Sequence, residues 1–257
     1  MKRICLLVSG ELGFELLYNY YTKNLKADAI IIDSKSSKLY RKKIKKLKIS
    51  SKIFYATNTQ FSKKIITYLK QNDVLILSFI WPYIIKNDYL KLVKYGVVNA
   101  HAGYLPYERG VHSYVYSILR NHPKGVTIHF MNNLVDGGRI IKQKKIKTDK
   151  FITGAELEIK LKQELVKLFT NLFSMLVRGS YNKNKLKKVN TKNFVQNYRK
   201  NLDMNTIVDL NKKYTAKNLL NLILSRSGFD KGGAHFVYKN KNYELNLQVR
   251  KKLKFFN

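Results

Sequence analysis

The sequence predicts an α/β fold: a mostly parallel sheet with helices on both faces, plus a small C-terminal helix and β-hairpin unit. Three observations predict it. Short apolar runs alternate with helical stretches over about the first hundred residues, the rhythm of β-α-β units with right-handed crossovers. A leucine-striped helix follows and stops at a glycine. Residues 204–257 then hold one short helix and two alternating runs around a turn.

Each element has its own signal. Residues 4–8, ICLLV, are a continuous apolar run, as in a strand buried on both faces. Ser9-Gly10 is a turn, and a helix follows near 13–24. Runs at 29–32, 53–55 and 74–77 read as the next three strands. Helices near 35–47 and 60–70 separate them. Residues 97–99 end a fifth strand, before a loop rich in Gly and Pro and a helix over 113–120. Strands are expected at 125–130 and 139–146. Thr153 and Glu156 have capping-box spacing. The helix they open carries Leu157, Leu161, Leu165, Leu168, Leu172 and Leu176 on one face, with Gly179 as its stop. Residues 181–203 are polar and basic and read as a linker between a main domain, 1–180, and the unit at 204–257. In that unit 215–225 is helical, 229–234 is a turn, and 234–238 with 243–249 form the hairpin.

Composition bounds the function. At 45% hydrophobic, the 257 residues can bury a sizeable core. Lys and Arg total 50 against 16 Asp and Glu, a net charge of +34. That field favours polyanionic partners or phosphate-bearing substrates. The joint abundance of Lys, Asn, Ile and Tyr also fits compositional drift. A single cysteine, Cys5, rules out a disulfide within the chain and makes a reducing compartment, the cytoplasm, the expectation. The first apolar run is too short for a membrane span. No Cys/His cluster points to a metal, and neither G-x-S-x-G nor G-x-G-x-x-G occurs.

Residues 97–141 carry the chemistry. Asn99 and His101 are two apart at a strand end, so period two puts both side chains on one face. Asp136 lies in the loop after the next strand, beside Gly137-Gly138. Asn, His and Asp suit acyl transfer to an amine. An Asn amide and a protonated His can donate to a developing oxyanion. A nearby carboxylate is expected to raise the His pKa, orient the ring and relay the amine's proton. The amine itself attacks, so no nucleophilic Ser or Cys is needed. His129 reads as a core hydrogen bonder, and His112, His122 and His235 as surface or loop residues.

At these residues the sequence resembles the formyltransferase family that uses 10-formyltetrahydrofolate. Its members read N-x-H-x-S-x-L-P-x-x-R-G, then G-V-T-x-H, then a D-x-G turn. The matching residues are Asn99, His101, Leu105, Pro106, Arg109 and Gly110; then Gly125, Val126, Thr127 and His129; then Asp136 and Gly138. Gly103, Ser113 and Tyr116 depart from the usual Ser, Pro and Trp. The resemblance implies a Rossmann-like domain and Asn99, His101 and Asp136 as catalytic trio. It implies Phe79, Ile80, Trp81 and Val135 as the wall for 10-formyltetrahydrofolate. Ser9 and Gly10 would border the acceptor's sugar or phosphate, with Arg109 and Arg226 as further substrate contacts.

The tail narrows the branch. Too few residues follow the linker for the β-barrel of enzymes that formylate methionyl-tRNA. Arg226, Phe229, Gly233, Ala234 and Phe236 resemble the tail of enzymes acting on nucleotide-linked amino sugars. The expected acceptor is a dTDP-4-amino-4,6-dideoxyhexose for surface polysaccharide such as O-antigen, and the expected assembly is a homodimer. A methionyl-tRNA formyltransferase and a basic nucleic-acid-binding protein are the competing readings.

Overall fold

The computed structural model describes residues 2–47, 49–57, 61–192, 194–230 and 232–250. Position 60, where the sequence starts a helix, and 251–257 of the C-terminal unit lie outside them. Strand β1 (Arg3–Val8) leads into α1 (Gly10–Thr22), β2 (Ala29–Asp33), α2 (Ser34–Lys46), β3 (Lys52–Ala56), α3 (Lys63–Gln71), β4 (Val74–Phe79), the short α4 (Asn87–Lys91) and β5 (Gly96–His101). A two-residue strand β6 (Arg109–Gly110) precedes α5 (Ser113–Leu119), β7 (Gly125–Phe130), β8 (Ile140–Lys145) and the 25-residue α6 (Gly154–Arg178). Then follow β9 (Gln196–Asn197), α7 (Ala216–Arg226), β10 (Ala234–Tyr238) and β11 (Lys241–Leu245).

Seven strands form one sheet in the order β3-β2-β1-β4-β5-β7-β8. The first five run parallel, and β7 and β8 are antiparallel additions. The chain order reverses beside β1, the place where such sheets open a crevice at their carboxyl ends. Alternation along β1 explains its continuous hydrophobicity. Ile4, Leu6 and Val8 pack with α1 and α6, while Cys5 and Leu7 face α3.

Helix α6 closes the first face. Thr153 and Glu156 make the expected capping box, and Gly179 ends the helix in a left-handed conformation. The leucine stripe is only half right. Leu157, Leu161, Leu165 and Leu176 are buried, but Phe169 and Phe173 take the places expected for Leu168 and Leu172, which are half-buried. The drift follows from a 3.6-residue turn over so long a helix. Phe173 packs against Tyr20, Phe79 and Phe169 at ring-centre distances of 5.1–5.3 Å. Truncating such a ring to Ala costs about 3–5 kcal/mol.

The small unit packs Val208, Leu222 and Ala234 together, with Leu119 of α5 reaching in from the main sheet's side. Its hairpin is tighter than expected. Lys239 and Asn240 both adopt positive φ, 46° and 60°, so the turn has two residues and β11 starts at Lys241. The α4 helix had no sequence signal, being too short to show a period. Helix α1 starts at Gly10, three residues ahead of expectation, directly after Ser9 in extended conformation.

Candidate active site

Strand β5 delivers Asn99 and His101 to the edge of the crevice, and the antiparallel partner β7 places His129 directly opposite Asn99. The β7–β8 connection returns Asp136, with φ of 48°, between them. Asp136 Oδ2 lies 3.4 Å from His101 Nδ1 and accepts from the Gly110 amide at 2.8 Å; Oδ1 lies 3.3 Å from His129 Nε2. His129 Nε2 is 3.4 Å from Asn99 Nδ2, and its Nδ1 donates to the Phe130 carbonyl at 2.8 Å. His129, read as a core hydrogen bonder, is fully buried and stands between Asn99 and Asp136. Its place opposite Asn99 follows only from the strand pairing.

The electrostatics depart from expectation at His101. Burial holds its imidazole below the ordinary histidine range, and the opposing pull of Asp136 does not overcome it. Burial would raise Asp136, but His101, His129 and the Gly110 amide outweigh it and keep the carboxyl well below the usual range. The site therefore pairs a stable carboxylate with an imidazole that resists a resting charge. Gly103, where a Ser was usual, has a local reason: a Cβ there would stand 2.4 Å from His101 Nε2, in space the ring occupies.

A crevice of about 260 Å³ opens over this group, lined by Ile80, Trp81, Asn99, His101, Val135 and Asp136 among others. It is apolar along Trp81, Ile85, Leu90 and Met131 and polar at its floor. Such a mixture fits a flat heteroaromatic ligand. Phe79 does not belong to this wall: its ring is buried on Tyr20, Phe169 and Phe173, because strand alternation turns it into the core. An adjoining groove shares Tyr83, Gly110, Val111 and Val135 with the crevice and adds Asp33, Lys35, Tyr198 and Arg199.

The structure does not bring the other expected contacts to the crevice lining. Ser9 is buried, and Ser36 engages its hydroxyl and the Gly10 amide. Arg109 is buried and donates from Nε to the Val135 carbonyl at 2.8 Å, which fixes the loop before Asp136. Arg226 lies at the end of α7 with Nη2 at 3.4 Å from Asp203 Oδ1. Sequence reasoning missed Lys35, Tyr83, Tyr198 and Arg199; the last two sit in the segment read as a linker, where an aromatic-arginine pair was the available cue. His122, read as a surface or loop residue, lies in the loop after α5 and is half-buried, and its Nδ1 meets Glu108 Oε1 at 2.6 Å.

Among the described residues no group of three or more His, Cys, Asp and Glu side chains could hold a metal ion, and no helix is long and apolar enough to cross a membrane.

The family model described as Formyl transferase matches residues 2–172. The bifunctional polymyxin resistance protein ArnA of Wigglesworthia glossinidia brevipalpis is 29% identical over 237 residues, 90% of this chain and 35% of that protein. The chain thus spans about a third of that curated relative's length. A sugar N-formyltransferase from Shewanella sp FDAARGOS_354 shares the fold, with TM-score 0.78, 17% identity and coverage of 98% of this chain and 100% of that one. An N-formyltransferase from Helicobacter canadensis, solved with folinic acid and dTDP-3-aminofucose, has TM-score 0.63 and 20% identity, covering 88% of this chain and 80% of that one.

Proposed function

The chain belongs to the formyl transferase family, and from that premise we propose that it moves a formyl group from 10-formyltetrahydrofolate to the amine of a nucleotide-linked amino sugar. A dTDP-4-amino-4,6-dideoxyhexose is the leading acceptor. The observation that carries the reading is the cluster of Asn99, His101, His129 and Asp136, each within 3.4 Å of another, at the floor of an apolar crevice, beside a groove that holds Lys35 and Arg199.

Ile80, Trp81 and Val135 would hold the folate against the apolar wall. The folate supplies the formyl carbon on a nitrogen leaving group. Asn99 donates its amide to the acyl oxygen as charge develops there. His101, kept neutral by burial, would take the proton released by the attacking amine and pass it to the leaving nitrogen of the donor, with Asp136 stabilising the imidazolium in between. With its proton on Nδ1, His129 accepts at Nε2 from the Asn99 amide and so fixes the amide's orientation. Lys35 and Arg199 in the groove suit a diphosphate, and Tyr83 and Tyr198 offer ring faces for a base.

We place residues 1–180 as the catalytic domain and 204–257 as a unit for contact between two copies, in a cytoplasmic homodimer that serves surface polysaccharide. The test is a screen of nucleotide-linked amino sugars with 10-formyltetrahydrofolate, read by product mass. A mass gain of one formyl group on a dTDP-amino sugar is expected. Efficient formylation of charged initiator tRNA with no sugar product would replace this reading by the tRNA branch.

A further inference from the structure

Behind the trio lies a buried acid that the mechanism above does not use. Glu108 is 2% exposed and adopts a φ of 53°, a conformation uncommon for a residue with a long side chain. Its carboxylate is fully engaged. Oε2 accepts from Arg120 Nη1 at 2.9 Å and from Asn197 Nδ2 at 2.8 Å, while Oε1 meets His122 Nδ1 at 2.6 Å. Arg120 also donates to Asn197 Oδ1 at 2.9 Å and lies over the Tyr116 ring. The Lys124 ammonium, bonded to the Ser117 and His122 carbonyls, adds positive charge nearby.

The main chain at this turn points the other way, into the site. The Glu108 carbonyl lies 3.0 Å from His101 Nε2. Two residues on, the Gly110 amide donates to Asp136 Oδ2, and between them Arg109 donates to the Val135 carbonyl. Three consecutive residues thus hold His101, Asp136 and the loop that carries Asp136. β9 locks the turn from outside: Gly110 pairs with Asn197, so closely that a Cβ on Gly110 would stand 2.2 Å from the Asn197 carbonyl.

We propose that Glu108 is a positioning residue for formyl transfer: its buried carboxylate, clamped by Arg120, His122 and Asn197, fixes the 108–110 turn whose carbonyl sets the orientation and proton position of His101. This rests on the reading of His101 as the proton acceptor. A carbonyl only accepts, so it holds a proton on Nε2 and leaves Nδ1, facing Asp136, as the nitrogen that gains one.

Glu108→Gln tests it in the full chain, because Gln keeps the volume and one acceptor while placing an NH₂ group against donors. The expected result is a loss of kcat on the order of 10- to 100-fold with KM for the folate unchanged, as a misplaced group gives. The ring signals of ¹⁵N-labelled His101 should shift with it. A lower melting temperature with kcat and the His101 signals unmoved would reduce Glu108 to a structural role and overturn the proposal. If Glu108→Gln does not fold, His122→Ala removes one outer donor from the same carboxylate; a His101 signal that stays put in that variant overturns the proposal too. The nuclear resonance readout needs no turnover, so it decides the Glu108–His101 coupling even if the acceptor assignment fails.

Discussion

The crevice over β5 and the groove beside it share the wall formed by Tyr83, Gly110, Val111 and Val135, yet they handle charge in opposite ways. In the crevice His101 and Asp136 are buried and hydrogen-bonded to the main chain, so their protonation is set by the protein. In the groove Lys35 and Arg199 are exposed, and water and salt screen them. A group meant to do chemistry is worth the cost of desolvation, because its affinity for a proton is thereby tuned. A group meant to recognise a soluble polyanion gains from staying wet, since it must release its product.

The largest effects should come from breaking the buried side. His101→Ala and Asp136→Ala are expected to lower turnover by about 10²–10⁴-fold, the usual worth of a positioned proton-transfer group. Asn99→Ala should cost about 10²–10³-fold in kcat as a lost oxyanion donor. Steady-state kinetics on the formylated product measures all three. Near-normal turnover in any two of them would mean that the crevice is not where the reaction happens. Asp136→Ala carries a second penalty, since the Gly110 amide loses its acceptor; its melting temperature should fall most of the three.

The wet side should respond differently. Arg199→Ala and Lys35→Ala are expected to raise KM for the nucleotide-linked acceptor by about tenfold and leave kcat nearly intact, the signature of binding made equally in ground and transition states. Raising salt should shrink that difference. A fall in kcat without a change in KM would put these two side chains with the chemistry instead.

Acidification sharpens the contrast further. Because burial lowers the folded His101 pKa, kcat/KM should hold below the ordinary histidine value of about 6.5 before its acid limb begins. An acid limb at or above that value would show Asp136 outweighing burial. Stability has the same sign. His101 and Asp136 both bind protons more readily unfolded, so their contributions are present at neutral pH and are lost on acidification. The His101 part starts to go near pH 6.5, and the Asp136 part goes below its unfolded value of about 3.9.

The smallest effect belongs to the hairpin. Tyr243 is 42% exposed, so Tyr243→Ala should leave kcat and KM unchanged and shift monomer stability little. Analytical ultracentrifugation of this variant tests whether the exposed face holds two copies together.

Period, caps and turns made most of the sheet and α6 legible, because those signals are local. Asn99 and His101 were readable as neighbours because strand period two is a property of the chain alone. His129 is the buried hydrogen bonder the sequence suggests, but its contact with Asn99 depends on facing it across an antiparallel pair thirty positions away. Phe79 was assigned to the wrong side by one step of the same alternation. Glu108 and Lys35 left no signal, since their partners or neighbours come from distant stretches such as Asn197 and Tyr83. The sequence makes the hairpin turn two residues too long, because Lys-Asn is not a strong marker of positive φ.

The pairing of β6 with β9 has a consequence for biosynthesis. All the side chains of the proposed trio, and the turn that orients them, are translated by Gly138, but Asn197 is one of the donors to Glu108 and the strand partner of Gly110. A nascent chain folds from its N-terminus as it emerges. Its sheet can assemble while the 108–110 turn still lacks that outer partner. On the ribosome the molecule would thus acquire its shape first and its competence later, when the segment around Asn197 arrives to fasten the turn.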